Sequence, residues 1–164
     1  MNYYKKNKKN NFKSKLIVHG ITSLSQYLEN NPKYIKRIYC RDKKKLSNLT
    51  IPDYLNNLIE ITNNEDLVNE RSHVSFEVSI SQISEKDFLE KVSPEKLKSK
   101  CRVIILDHIT DSRNFGAIAR TAAFFGIKYI IIPNKRQVPV NSYVLSTAQG
   151  AFSVLSVVAV TNIS

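Results

Sequence analysis

The stretch Val103 to Phe125, VIILDHITDSRNFGAIARTAAFF, limits what this chain can fold into more than any other. It begins as an apolar, β-branched run with the length of a buried strand. It then breaks into a polar turn through Asp111, Ser112, Arg113 and Asn114 and continues with helical spacing. A strand whose polar loop opens a helix is the unit of α/β sheets, which place ligands at the strands' carboxyl ends, where unpaired helix N–H groups point into the crevice. Ile118, Thr121, Ala122 and Phe125 recur at helical intervals and are predicted to pack on the sheet, with Gly116, Arg120 and Ala123 on the opposite side. Asn114 is predicted to be the N-cap, its side-chain oxygen accepting from the first free N–H groups. Taken alone, an Asn and an Arg in such places mean capping and solvation.

From Arg102 onward the pattern is strand, loop, helix, a strand at Lys128 to Ile132, a loop through Pro133 and Pro139, a helix around Val140 to Ala148 and an apolar run from Phe152 to Val160. Successive crossovers of this kind make a parallel sheet. Ahead of it, Leu16 to Ile80 alternates short apolar strands, at Leu16 to Val18, Ile35 to Cys40, Ile59 to Thr62 and Val74 to Ile80, with helices following Ile21, at Tyr54 to Leu58 and at Glu65 to Arg71. That order predicts a small α/β unit. The polar, Pro94-containing segment 81–101 is predicted to be a linker with one short helix, and residues 1–15, Lys and Asn with scattered aromatics, a disordered basic arm. The expected organisation is thus 1–15 arm, 16–80 small unit, 81–101 linker and 102–164 parallel-sheet unit.

A net charge of +11 over 164 residues favours a polyanionic partner. The distribution sharpens the point, because no Asp or Glu follows Asp111, leaving Arg113, Arg120, Lys128, Lys135 and Arg136 unopposed in sequence. No apolar run approaches the roughly 18 residues that span a bilayer, and no signal peptide is recognisable, so a cytoplasmic location and no membrane partner are expected. Cys40 and Cys101 lack metal-ligand spacing and are read as free thiols, with no metal site. There is no GxGxxG and no Walker-type glycine loop.

The wording of Asn114-Phe115-Gly116-Ala117-Ile118-Ala119-Arg120-Thr121-Ala122, followed by Phe125-Gly126 and the strand at Tyr129 to Ile132, resembles the first signature motif of the SPOUT-class (TrmH/SpoU-like) RNA 2′-O-ribose methyltransferases. Leu106 to Asp111, Arg136 to Val140 and Gln149-Gly150-Ala151 are similar to the same family, with Ser112 where many relatives carry Pro. His19-Gly20 and the elements after it resemble the small RNA-binding unit that precedes the methyltransferase domain in many of these enzymes. At His73-Val74-Ser75 only the His of the family's His-Gln-Gly is kept, so no role is given to His73.

The resemblance implies an α/β fold in which a small RNA-binding domain precedes the first part of a SPOUT methyltransferase domain. It implies methyl transfer from S-adenosylmethionine to a ribose 2′-hydroxyl of RNA, ribosomal RNA being the expected substrate. Asn114 and Arg120 are the expected catalytic residues, Arg120 stabilising the developing alkoxide and Asn114 orienting Arg120 and the RNA backbone. Arg113, Lys135 and Arg136 are the expected RNA-binding residues. The cofactor-binding motifs of the family, and the segment that threads its trefoil knot, are expected beyond Ser164, so no cofactor-binding residue is assigned within the chain. A homodimer is expected of a complete protein, and an exposed apolar surface of this chain near Val154 to Val160. The alternative is an inactive truncated copy acting only as an RNA-binding protein.

Overall fold

The computed structural model describes residues 15–93 and 101–163. The basic arm therefore lies outside the described residues except for Lys15, as does 94–100 of the expected linker.

The β-branched runs become strands. β1 (Leu16–His19), β2 (Ile35–Cys40), β3 (Ile59–Ile61) and β4 (Val74–Val78) form a mixed sheet in the order β1-β4-β2-β3. β4 runs antiparallel to both β1 and β2, and β2 runs parallel to β3. α1 (Ile21–Asn30) packs across one face through Leu24, Tyr27 and Leu28, with Tyr27 edge-on to Phe76 at 5.3 Å between ring centroids. The short helix α2 (Asp53–Asn56) lies close to where it was expected. The helix expected at Glu65 to Arg71 does not form: these residues make turns closed by Asn64 and Asn69, whose side-chain oxygens accept from nearby backbone N–H groups. Asn and Asp hold backbone groups locally in this way and so compete with helix.

The second sheet consists of β5 (Ser81–Ile83), β6 (Val103–Ile105), β7 (Tyr129–Pro133) and β8 (Ser156–Val160), all parallel in the order β5-β8-β7-β6. Segment 81–101 is thus more than a connector. Its first residues add an edge strand beside β8, and α3 (Glu85–Lys91), N-capped by Ser84, lays Phe88 on Val158 and Val160, with its ring edge-on to Tyr129 at 5.2 Å. Because α3 and the main core cover the two faces of β8, the apolar surface expected near Val154 to Val160 is largely inside: Val157, Val158 and Val160 are buried and only Val154 and Ala159 are exposed. Exposed large apolar side chains lie instead on β6, at Val103 and Ile105, and at the end of the following helix, at Phe124 and Phe125.

α4 (Ser112–Phe124) and α5 (Ser142–Ala148) cover the other face of this sheet. One apolar core joins the two sheets, holding Val18, Leu24 and Phe76 from the first unit together with Phe115, Ala119, Ile130, Val144 and Phe152 from the second. Polar contacts reinforce it. Ser142 accepts from the N–H of Ile17 at 2.9 Å, closing the free edge of β1, and the Asn31 amide donates to the carbonyl of Ser153. Gly150, at φ +90°, brings its backbone so close to α1 that a Cβ there would lie 2.6 Å from Cβ of Gln26.

Gly116 makes the corresponding approach between α4 and α5. A Cβ there would lie 2.6 Å from Cβ of Thr147 and 2.8 Å from the carbonyl oxygen of Val144. Alanine in a helix interior gains roughly 1 kcal/mol over glycine, but overpacking against a backbone oxygen costs about 1 to 3 kcal/mol. Gly116→Ala is therefore expected to lower the thermal midpoint; an unchanged or raised midpoint would show that the two helices can separate freely.

Candidate functional site

Two concave surfaces of the second unit bear on function. The first lies at the carboxyl ends of the parallel strands, where β6 and β7 run into their loops. It is an open crevice of about 460 Å³ lined by Asp107, His108, Pro133, Lys135, Arg136, Thr161, Asn162 and Ile163. The two loops are tied across its base: the N–H of Ile109 donates to Oε1 of Gln137 at 2.8 Å, and the N–H of Val138 to the carbonyl of Ile109 at 2.9 Å. His108 and Arg136 both sit at φ +57°, a conformation that costs a non-glycine residue on the order of 1 kcal/mol. Both line the crevice, in the loops so tied.

The second surface is a groove of about 530 Å³ between α4 and α5, lined by Ala117, Arg120, Thr121, Phe124 and Thr147. α4 presents it because its buried stripe is Phe115, Gly116, Ala119 and Ala122. The expected stripe was rotated from this: Thr121 and Phe125 are exposed, Ile118 is half-buried and Gly116 is inside. Arg120 is exposed, on the side away from the sheet, as its spacing indicated.

The helix also begins earlier than expected. Asp111, not Asn114, is the N-cap, its Oδ1 accepting from the N–H of Asn114 at 2.8 Å. Asn114 is the third residue of the helix, exposed, and about 120° around the axis from Arg120 at 100° per residue. The two side chains therefore leave the helix on different faces. Arg113, exposed in the first turn, shares Arg120's face two turns earlier, roughly 10 Å along the axis. Lys135 and Arg136 stand together on the crevice, apart from the Arg120 groove.

Among the described residues none of Arg113, Arg120, Lys135 and Arg136 is paired with a carboxylate; the ion pairs present are Lys15–Glu77, Arg37–Glu60 and Asp107–His108. The resulting surface is positive and open to phosphates. No group of His, Cys, Asp or Glu able to hold a metal occurs among the described residues, and no helix there is long and apolar enough to cross a membrane. His19 is a structural residue: burial holds its imidazole below the ordinary 6.5, and its Nδ1 is enclosed without a partner. His73 is exposed, in the turn before β4. Sequence reasoning missed Asp111, Gln137, His108, Thr147 and Phe124. For Asp111 a signal existed, since it stands three residues before the N–H it caps.

Comparison with known proteins agrees with this architecture. Residues 102–164 match the SpoU rRNA methylase family. The chain is 42% identical over 79 residues to an uncharacterised tRNA/rRNA methyltransferase of Borreliella burgdorferi, covering 48% of this chain and 35% of the relative. It is 29% identical over 157 residues to the 23S rRNA (guanosine-2′-O-)-methyltransferase RlmB of Pseudomonas aeruginosa, covering 90% of this chain and 62% of that protein. The chain thus spans about a third to under two thirds of the length of these relatives. Among solved structures, an rRNA methyltransferase from Sinorhizobium meliloti superposes with a TM-score of 0.66 at 16% identity, over 88% of this chain and 54% of the other. The SpoU methyltransferase AviRb from Streptomyces viridochromogenes, in complex with AdoMet, does so with a TM-score of 0.61 at 15% identity, over 90% and 56%. Residues 102–164 are thus similar in sequence to the SpoU rRNA methylase family, and about nine-tenths of the chain shares the fold of these solved methyltransferases.

Proposed function

We propose that this chain is the RNA-facing part of an S-adenosylmethionine-dependent RNA 2′-O-ribose methyltransferase acting on ribosomal RNA. The observation that carries the reading is Arg120: exposed, without a carboxylate partner among the described residues, beside a groove on α4, within the stretch that matches the SpoU family. A ribose hydroxyl is a weak nucleophile, and a fixed guanidinium beside it stabilises the charge that develops on its oxygen. Arg113 on the same face, with Lys135 and Arg136 on the neighbouring crevice, holds the RNA backbone through phosphates. A cytoplasmic setting and, for a complete protein, a homodimer belong to the same proposal; the exposed apolar edge at Val103 and Ile105 supports the latter.

S-adenosylmethionine carries a sulfonium, an ammonium and a single carboxylate beside an adenine, so a site for it needs acceptors for two cations. The described residues do not fit it. The crevice at the strand ends is open, presents Lys135 and Arg136, and has its carboxylate, Asp107, engaged by His108. That mismatch favours a second reading, in which the chain binds RNA without transferring a methyl group.

Both readings require electrostatic RNA binding, which is tested by filter binding of residues 1–164 to a ribosomal-RNA hairpin at rising salt. Affinity should fall with a log–log slope of about −0.7 to −0.9 per phosphate contacted, so that a few contacts give a steep line. Affinity indifferent to salt would exclude the proposal.

A further inference from the structure

Phe124 is 85% exposed, the most exposed of the large apolar side chains described. It ends the row Arg113, Ala117, Arg120, Phe124 along one face of α4, and it forms one wall of the groove whose other walls are Arg120, Thr121 and Thr147, over the small floor of Ala117. Its ring meets that of Phe125 edge-on, with centroids 5.3 Å apart and planes at 85°, which leaves the faces of the Phe124 ring open. The hydroxyls of Thr121 and Thr147 each donate to a carbonyl four residues back, Ala117 and Tyr143, both at 3.0 Å. What those hydroxyls still offer a ligand is acceptor lone pairs.

From this juxtaposition we infer that Phe124 is a stacking platform for the target nucleobase, and that the groove fits a base presenting N–H donors at its edge. The inference rests on the proposed RNA methyltransferase reading and deepens it. Arg120 and Phe124 are neighbours one helical turn apart, so a base stacked on Phe124 carries its own ribose to Arg120. The occupant is set by charge. The groove's rim holds a guanidinium, and the whole segment after Asp111 holds five cations and no carboxylate, which suits a single-stranded polyanion and repels a second copy of the same surface. An aromatic ring next to an arginine is also the pairing by which single-stranded RNA is commonly held.

The test uses residues 1–164 and a single-stranded RNA of about ten nucleotides carrying one 2-aminopurine, whose fluorescence is quenched when it stacks. The wild type should quench it. Phe124→Ala should abolish the quench and weaken binding by about tenfold or more while leaving the salt slope unchanged. Phe124→Trp should restore both. Because Phe124 is exposed, the melting curves of both variants should match the wild type, which separates loss of stacking from loss of fold. Undiminished quenching and affinity in Phe124→Ala, with salt-dependent binding intact, would overturn the stacking role and leave the RNA reading standing. Absence of any RNA binding by the wild type would overturn both. A sedimenting dimer that Phe124→Ala dissolves, with RNA affinity unaltered, would assign the face to a second copy instead.

Discussion

Phe115→Ala is expected to be the most damaging single substitution to the fold, lowering stability by about 3 to 5 kcal/mol. Phe115 is fully buried and meets Phe152 edge-on at 6.1 Å, in the core that joins the two sheets. Small folded proteins are stable by only about 5 to 15 kcal/mol, so the loss is a large part of the whole. Urea unfolding should show a lower midpoint with an unchanged slope, as for one cooperative unit. If the variant instead melted in two steps, with the first sheet intact at the second, the shared core would not couple the units as the packing indicates.

The second large effect concerns Arg120. In a chimera joining residues 1–164 to the part of the Pseudomonas aeruginosa relative outside the matched region, Arg120→Ala should slow methyl transfer to ribosomal RNA by about a hundredfold or more, the usual loss when one fixed donor to a developing oxyanion is removed. Stability should change by no more than about 0.5 kcal/mol, because the side chain is exposed and makes no ion pair with the described residues. A chimera whose rate is untouched by the substitution would reduce Arg120 to a solvated surface residue.

Much of this could be read from the residues. β2 runs from Ile35 to Cys40, as its apolar run indicated, and Arg120 stands off the sheet, as its spacing required. The errors have identifiable physical origins. α4 was rotated because Gly116 and Ala119 carry little weight in an apolar pattern, yet small side chains let α4 and α5 approach closely and so are buried. Its start was misplaced because Asp111 and Asn114 are both good caps in the same turn, and only the Asp111 hydrogen bond decides between them. β5 was invisible because Ser81-Gln82-Ile83 is short and polar; it is a strand by virtue of pairing with β8, some 75 residues away. No local pattern carries such a long-range partner. The groove was equally hidden, since it needs Thr147 from α5 beside Arg120 and Phe124 from α4.

The most direct test of the central claim is where the methyl group ends up. Ribosomal RNA treated with the chimera and methyl-labelled S-adenosylmethionine should yield label in alkali-resistant dinucleotides, because a methylated 2′-oxygen can no longer attack the neighbouring phosphate, and Arg120→Ala should remove nearly all of it. Label recovered in alkali-released mononucleotides, with the methyl on the base, would contradict the account.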